Sequence, residues 1–413
     1  MKKLVGLLPA VLLTITVSAQ NTDKTKIEEY PRGKGFYYET ILKDISHVKD
    51  SVEAEPAAMR LTMDQSQYDL PNKVEIYKRE WANPVLSQGN TGTCWDFSTL
   101  SFYESEIFRM TGKKVKLSEM YVAYYEYLAK AERFIEKRGN SLFAEGSEGN
   151  AVARVALAHG LVPADEYTGL IGGRKYHDHG QMVKEMSTFL KSLTTSNAWN
   201  KEAALETIAS IMDHYIGVPP ASFKVEGKEY TPVSYMKDYL KLDPNDFVEI
   251  LSHKQKPYWQ QVEYTVPDNW WHNTDYYNVP LDVYMEIVKK AIRKGYTMSI
   301  GGDVSEAGFL RSTQCAMVPD FDIPSAYINE DSRAFRFDNE TTTDDHGMHL
   351  VGYLEKDGKD WYLIKDSSSG SRNNDPDAPE FGYYFFTQDY VKLKMMGFTI
   401  HKDAVKDVLK KFK

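Results

Sequence analysis

The chain has 413 residues, of which 42% are hydrophobic and 13% aromatic, so it can bury one large core or two modest ones and shows no compositional sign of disorder. Its formal net charge of −9 argues against nucleic acid and against an anionic membrane surface as partners. No stretch after residue 19 is apolar enough to predict a transmembrane helix.

Residues 1–19 have the features of an export signal. Two lysines precede an apolar run from Leu4 to Val17, and a small-residue cleavage site ends at Ala19. A membrane anchor needs about 20 apolar residues, whereas polar residues follow Ala19. We therefore expect a signal peptide that is cleaved near Ala19 and a mature chain that is exported to a periplasm or to the outside of the cell.

Residues 20–80 differ from the remainder of the chain. They carry mixed charge, scattered Met and Pro, and weak periodicity, which predicts an N-terminal arm lying over the surface of the main body. Residues 81–413 then form the main domain. Whether the arm includes an inhibitory pro-segment stays open.

The front of the main domain predicts helices. Apolar residues recur at helical spacing from Cys94 onward, and Gly112 closes this segment. Ser118 is a typical cap for the helix that follows. These patterns predict a helical lobe at about 90–165. The predicted helices, including two further along the chain, are 94–109, 119–137, 150–159, 203–215 and 281–294.

The stretch from about 165 to 280 is rich in aromatic residues, Pro and Asp. Apart from the helix at 203–215, we interpret it as an insertion made of loops over the body. The sequence "HDHG" at 177–180 is interpreted as a solvated loop.

Strand patterns dominate from about 295 to 405. Apolar residues alternate with β-branched or aromatic ones at 296–303, 348–367 and 381–391, and a Gly-containing turn separates two of these runs. A helical front and an antiparallel β back indicate an α+β protein of two lobes. A cleft between lobes is a common place for a functional site.

Cys94 is the strongest candidate for a reactive group. It stands where a helix begins, and the unpaired N–H groups and dipole of a first helical turn stabilise a thiolate nucleophile. The alternative is a buried structural cysteine. The second cysteine, Cys315, could pair with Cys94 in a disulfide, but we expect both thiols to be free and Cys315 to be a buried spare thiol.

The residues around Cys94 favour catalysis. Gln88 stands six residues earlier across a Gly-bearing loop, so its amide and the Cys94 backbone N–H can form a two-donor oxyanion hole. Trp95 follows directly. The segment "QGNTGTCW" resembles the active-site segment of the papain-like (C1) cysteine peptidases, with Gln, both Gly, Cys and Trp at the family's offsets. The resemblance implies a papain-like two-lobed fold with insertions, and no cofactor.

The resemblance also implies a catalytic histidine in the second lobe. His346 of "HGMHLVGY" stands at that position, ahead of an apolar strand. His349 lies on the opposite face of the same strand and is interpreted as structural or surface-facing. Asp366 takes the position of the family's orienting Asn and can hold His346 as the Asp of a Ser-His-Asp triad does. Ser368 takes the place of the family's Trp, which predicts that the Asp366–His346 pair is more open to water.

The long separation of Cys94 and His346 points to one branch of the family. Segments at 117–139 and 276–304 resemble the bleomycin hydrolase and aminopeptidase C branch. Glu148 and Gly149 take the positions of the family's substrate-binding Gly-Gly pair. The branch implies peptide substrates, trimming of amino-terminal residues behind a C-terminal arm, and a hexamer. Because the chain after Val405 is short, trimming and internal cleavage both stay open.

Two alternatives remain beside the peptidase. Residues of the kinds that bind metals are His177, His179, Asp344, Asp345, His346 and His349. Their spacing matches no known metal-binding motif, so we expect no metal. The chain could instead be a catalytically inactive papain-fold protein that binds peptides. Retention of Cys, His and Gln at the three expected positions favours the enzyme.

Overall fold

The computed structural model describes residues 23–30, 35–45, 58–368 and 375–412. The predicted signal peptide therefore lies outside the described residues, as does part of the N-terminal arm. None of the helices in the described ranges combines the length and the apolar character that crossing a bilayer requires.

The helices concentrate in the first two thirds of the chain. Gly112 ends the helix that begins at Cys94, with φ at +73°, and the Ser118 hydroxyl caps the next helix by accepting a hydrogen bond from the Tyr121 N–H. Both features agree with the predicted helix ends. In chain order the α-helices are α1 (Leu42–Ile45), α2 (Cys94–Thr111), α3 (Glu119–Glu136), α4 (Asn150–His159), α5 (Gly180–Ser196), α6 (Lys201–Ile216), α7 (Pro232–Ser234), α8 (Leu281–Arg293), α9 (Glu330–Asp338), α10 (Gln388–Lys394) and α11 (Lys406–Leu409).

One large mixed sheet forms the rest of the body. Its order is β10-β11-β14-β13-β12-β9-β15-β6-β8-β7, with β3 also paired to β12; two further sheets are the ribbons β1-β2 and β4-β5. The strands are β1 (Thr25–Tyr30), β2 (Ala58–Met63), β3 (Lys78–Arg79), β4 (Phe223–Val225), β5 (Lys228–Tyr230), β6 (Phe247–Leu251), β7 (Gln260–Val262), β8 (Tyr276–Asn278), β9 (Met298–Gly302), β10 (Phe309–Leu310), β11 (Cys315–Ala316), β12 (His346–Lys356), β13 (Lys359–Lys365), β14 (Tyr383–Thr387) and β15 (Met395–His401).

The described residues form two large apolar cores, one in each lobe. One joins α2, α3 and α4 with α5 and α6, and the other lies between the sheet and α8. Helix α2 packs against β12 and β9, so its first turn comes to the amino-terminal end of β12. This packing brings Cys94, the first residue of α2, close to His346, the first residue of β12.

The stretch interpreted as loops is more structured than predicted. It contains α5, whose Met182, Met186 and Leu190 are buried in the helical core, and it contributes β6 to the large sheet. Helix α5 was not predicted because only a few of its residues are apolar and the rest are polar, as in the loops around it. In the described part of the N-terminal arm, Met63 and Val74 are buried in an apolar cluster with residues of the sheet.

Candidate active site

Cys94 is the first residue of α2, and its thiol is free and partly exposed. The backbone N–H groups of a first helical turn have no carbonyl partner within the helix. They therefore point out of the amino-terminal end of α2, where the helix dipole favours negative charge. A thiolate and a developing oxyanion are both stabilised at this position.

The loop before α2 is held in a fixed shape. The Gln88 side chain donates from Nε2 to the Thr91 carbonyl at 2.7 Å, and its Oε1 accepts from the Ser367 hydroxyl at 2.8 Å. Since Nε2 carries two hydrogens, one is left for a ligand. Gln88 is thereby tied both to the Cys94 loop and to the residue next to Asp366.

The "HDHG" segment is not a solvated loop, as the sequence had suggested. His179 is fully buried and its Nδ1 lies 2.9 Å from the Tyr127 hydroxyl. The Asn90 N–H donates to the His177 carbonyl at 2.8 Å. A Cβ at Gly89, where φ is +68°, would lie 2.3 Å from the same carbonyl oxygen. The segment therefore packs against the loop that carries Gln88 and supports its conformation.

The structure brings His346 and Asp366 together. His346 Nε2 lies 2.7 Å from Asp366 Oδ1, with 8% of the histidine side chain and 1% of the aspartate side chain exposed. The Asp366 carboxylate also accepts hydrogen bonds from Ser368, from its N–H at 3.0 Å and from its hydroxyl at 2.9 Å. The expectation that Ser368 leaves this pair open to water is therefore wrong, because surrounding residues bury it.

The electrostatics of the pair favour an imidazolium. Burial by itself lowers the pKa of His346, but the Asp366 carboxylate, which is both charged and hydrogen-bonded to the ring, and the neighbouring Cys94 raise it to about 10. Since Nε2 faces Asp366, Nδ1 is the nitrogen that faces Cys94. The ring therefore stands between two acidic partners and holds its proton through the neutral pH range.

The remaining histidine and cysteine predictions can be placed as well. His349 is fully buried, with Nδ1 at 2.9 Å from the Ser101 hydroxyl of α2, so it is structural and not surface-facing. Cys315 is free and fully buried on β11, and burial raises its pKa to about 12. Both agree with the spare or structural roles predicted for them.

Glu148 and Gly149 line a cavity that also exposes Cys94 and His346. Gly149 stands where a Cβ would approach the Thr99 and Thr399 hydroxyls at 3.0 and 3.1 Å. Its lack of a side chain therefore keeps the passage between α2 and β15 open.

Sequence reasoning missed other residues of this cavity. Glu249, Tyr264 and Asp268 line it together with Glu148 and Asp344. These positions come from widely separated segments, and no motif links them. In the described part of the chain no group of His, Cys, Asp and Glu side chains is arranged to hold a metal ion.

A helix-borne cysteine against a strand-borne histidine with a carboxylate behind it, on a helix packed against a sheet, defines the papain-like class of cysteine peptidase. Comparison with known proteins agrees. The Peptidase C1-like family matches residues 152–413, a range that contains His346 and Asp366 and begins after Cys94.

Similar proteins place the chain within the class. It is 21% identical over 370 residues to an aminopeptidase C of Lactococcus lactis subsp. cremoris, covering 79% of this chain and 82% of that protein. It is 22% identical over 363 residues to an aminopeptidase G of Lactobacillus delbrueckii subsp. lactis, covering 77% and 80%. The crystal structure of PepW from Lactobacillus rhamnosis HN001 has the same fold, with a TM-score of 0.60, 18% identity, and coverage of 82% and 86%.

The chain therefore belongs to the Peptidase C1-like family, in its bleomycin hydrolase and aminopeptidase C branch. It is a cysteine-type peptidase.

Proposed function

We propose that this protein hydrolyses peptide bonds through a Cys94 thiolate and the His346 imidazolium. The observation that carries the proposal is the 2.7 Å contact of His346 Nε2 with Asp366 Oδ1, which leaves Nδ1 toward Cys94. Aminopeptidase C and aminopeptidase G among its relatives support action on peptides with a free amino terminus.

The catalytic sequence follows from the geometry. The Cys94 sulfur attacks the substrate carbonyl carbon, and the new oxyanion accepts hydrogen bonds from the Cys94 N–H and the free Gln88 Nε2 hydrogen. His346 Nδ1–H gives its proton to the leaving amine as the C–N bond breaks. A water molecule then gives a proton to Nδ1 and adds to the thioester carbonyl, which releases the carboxylic acid and restores the thiolate.

Asp366 would act by orienting the ring of His346 and by stabilising its positive charge. Glu148 and Gly149 would contact the substrate beside the nucleophile. Retention of Cys94, His346 and Gln88 at the three positions that the family resemblance requires argues against an inactive peptide-binding protein.

Export of the mature chain is part of the proposal, supported by the apolar run and the small-residue site of residues 1–19. Amino-terminal sequencing of protein recovered outside the cytoplasm, with a start near residue 20, would support it. A hexamer is proposed from the family branch alone, and light scattering of the mature protein tests it.

The deciding experiment is hydrolysis of amino-free and amino-blocked fluorogenic peptides under reducing conditions. We expect turnover that Cys94→Ala abolishes while Cys315→Ala leaves it intact, since Cys315 is buried away from the site. The ratio of rates on free and blocked peptides decides between amino-terminal trimming and internal cleavage. No turnover on a broad peptide set, together with a Cys94 that does not react with a thiolate-directed epoxide, would support the inactive binding protein.

A further inference from the structure

The cavity beside Cys94 is small and acidic. Its volume is about 60 Å³, which exceeds the roughly 10–15 Å³ that one water needs and suits a group such as an ammonium or a guanidinium. Three carboxyl side chains from separate elements line it: Glu148 before α4, Glu249 on β6 and Asp344 before β12. None of the described residues that line the cavity is Lys or Arg.

Several of the carboxylates that the chain buries elsewhere have a cationic partner, although Asp96 on α2 forms no ion pair with a described residue. Lys116 pairs with Glu104 at 3.0 Å and also with Glu119, and Lys394 pairs with Asp303 at 3.5 Å and also with Glu306. Buried carboxylates need such partners because desolvation of an unpaired charge is costly.

The cavity carboxyls have no such partner within the chain. In the described residues no ion pair is formed by Glu148, Glu249 or Asp344; the Glu249 carboxylate accepts only the Thr399 hydroxyl, at 2.8 and 2.9 Å to its two oxygens. Asp268, a fourth carboxyl of the lining, differs because the Lys130 cation acts on it. Burial raises the pKa of all three carboxyls, and Glu148 and Asp344 also act on each other, so a cation that enters the cavity would stabilise their charged forms.

Unpaired polar atoms point to the same ligand. Tyr264 is 2% exposed and lines the cavity, yet its hydroxyl makes no hydrogen bond with any described residue, and neither does Glu148 Oε1. Burial and the nearby charges of Asp344 and Glu148 raise the pKa of the Tyr264 hydroxyl well above its usual value, which places this hydroxyl among the carboxyls. A hydroxyl and a carboxylate oxygen that are buried without partners are ready to accept hydrogen bonds from a donor-rich cation.

The cation that fits is organic. No group of side chains in the described ranges is arranged to hold a metal ion, so the carboxyls do not converge on one point as metal ligands do. Apolar atoms of Trp95, Ile300 and Phe398 also line the cavity, and these suit the methylene stem that carries a charged nitrogen group.

We propose that this acidic cavity binds a cationic nitrogen group of the peptide substrate, held by Glu148, Asp344 and Glu249, within one or two residues of the bond that Cys94 attacks. The source is the side chain of Lys or Arg, whose methylene stem matches the apolar part of the lining; the α-ammonium of the substrate's amino terminus is the alternative that the test separates. The inference rests on the proposed peptidase function and adds the substrate class.

Matched peptides separate the two sources. One pair places arginine or its uncharged isostere citrulline at each of the two positions before the cleaved bond, in an amino-blocked peptide. A second pair has only neutral side chains and a free or acetylated amino terminus. We expect the arginine peptide to have a kcat/KM at least about tenfold higher than that of its citrulline match, as charge-assisted hydrogen bonds imply. A response in the amino-terminus pair alone would overturn the assignment to a side chain.

Variants test the residues. Glu148→Gln and Asp344→Asn should reduce the ratio of charged to neutral substrate, and the double variant should bring it close to one. Because Glu148 contacts the substrate beside Cys94 and Asp344 lies close to His346, the readout is this ratio and not the turnover of either peptide alone. Glu263 is a partly exposed carboxylate that pairs with His272 and does not line the cavity; Glu263→Gln is the matched control and should leave the ratio unchanged.

Failure of the inference differs from failure of the peptidase function. Equal rates for charged and neutral members of both pairs, with turnover that still depends on Cys94, would overturn the cation site and keep the enzyme. If no peptide is turned over, calorimetric binding of the same peptides to Cys94→Ala still tests the site. A charged peptide that binds no tighter than its neutral match would then overturn the inference.

Discussion

At the scale of single residues, the ring of His346 is set between the Asp366 carboxylate and the Cys94 side chain. Asp366 holds Nε2 at 2.7 Å and is itself held by the backbone N–H and the hydroxyl of Ser368. An orienting asparagine would give the same hydrogen bond without the charge. The carboxylate therefore changes the proton affinity of the imidazole more than its position.

Asp366→Asn tests this effect through the pH profile. The raised pKa of His346, about 10, means that the imidazolium persists until the pH passes that value, so activity should fall only on the far alkaline side. Removal of the Asp366 charge should lower the alkaline limb of kcat/KM by about 1–3 pH units while activity at pH 7 stays within about tenfold. Asp366→Ala should lose far more activity, approaching His346→Ala. An alkaline limb that does not move in Asp366→Asn would mean that Asp366 has another role.

Residues of this kind differ in how far the sequence could predict them. Cys94 and Gln88 lie in one contiguous motif directly before and at a helix start, and the resemblance to the papain-like family predicts Gly149. The cavity carboxyls Glu249 and Asp344 have neighbours that give no hint of a shared site, because only the pairing of distant strands brings them together. Their burial without a cationic partner is a property of the folded chain alone.

At the scale of elements, α2 is joined to the sheet by polar contacts as well as by apolar packing. The Ser101 hydroxyl of α2 lies 2.9 Å from His349 Nδ1 on β12 and accepts a hydrogen bond from Lys365 Nζ of β13 at 2.8 Å. Lys365 is only 8% exposed. A buried ammonium in this place costs free energy, since a hydroxyl and distant carboxylates replace its water.

Lys365→Met is expected to keep or raise stability at neutral pH. Burial lowers the pKa of Lys365 from 10.5 to about 8, with Glu104 opposing the shift. The unfolded chain then binds the extra proton between those values, so the free energy of unfolding of the wild type should rise as the pH goes from about 8 to 10.5. Below pH 8 the whole penalty applies, at most about 3 kcal/mol.

Denaturant unfolding of Lys365→Met at pH 7 and pH 10 measures this penalty. The variant should gain up to about 3 kcal/mol at pH 7 and less at pH 10. Lys359→Met on the same strand, where the side chain is 55% exposed, is the control and should change stability by under about 1 kcal/mol. A loss of stability in Lys365→Met at pH 7 would show that the Ser101 contact outweighs the cost of burial.

The elements also show where local patterns are sufficient. Helix α4 begins and ends where the sequence predicted, and α2 and α3 differ from prediction by only one or two residues at their carboxyl ends, since caps and glycines mark them. Helix α5 was missed because its buried methionines and leucines are diluted by charged and polar residues. The positions of strands β6 and β15 in the sheet depend on their pairing with each other. This contact joins segments far apart in the chain, so no local sequence pattern predicts it.

At the scale of the whole molecule, the N-terminal segment 58–80 is built into the β body. Met63, Val74 and Tyr77 form one apolar cluster with residues of β12, β13 and β14, and β3 pairs with β12. The Met63 N–H donates to the Ala307 carbonyl at 3.0 Å. A removable pro-segment would leave this apolar face of the sheet uncovered, so we expect 58–80 to remain with the mature enzyme.

Tyr77 measures how firmly this segment belongs to the fold. Its ring is 5% exposed, its centroid lies 5.3 Å from that of Phe385, and its hydroxyl makes no hydrogen bond with a described residue. Tyr77→Ala should therefore lower the free energy of unfolding of the mature enzyme by about 3–5 kcal/mol, because it removes a buried ring and leaves a cavity. Tyr77→Phe, the matched control, keeps the ring and removes only the unpartnered hydroxyl, so its stability should equal or slightly exceed that of the wild type. If Tyr77→Ala unfolds at the same denaturant concentration as the wild type, the segment is not part of the cooperative unit and could be lost during maturation without cost to the peptidase body.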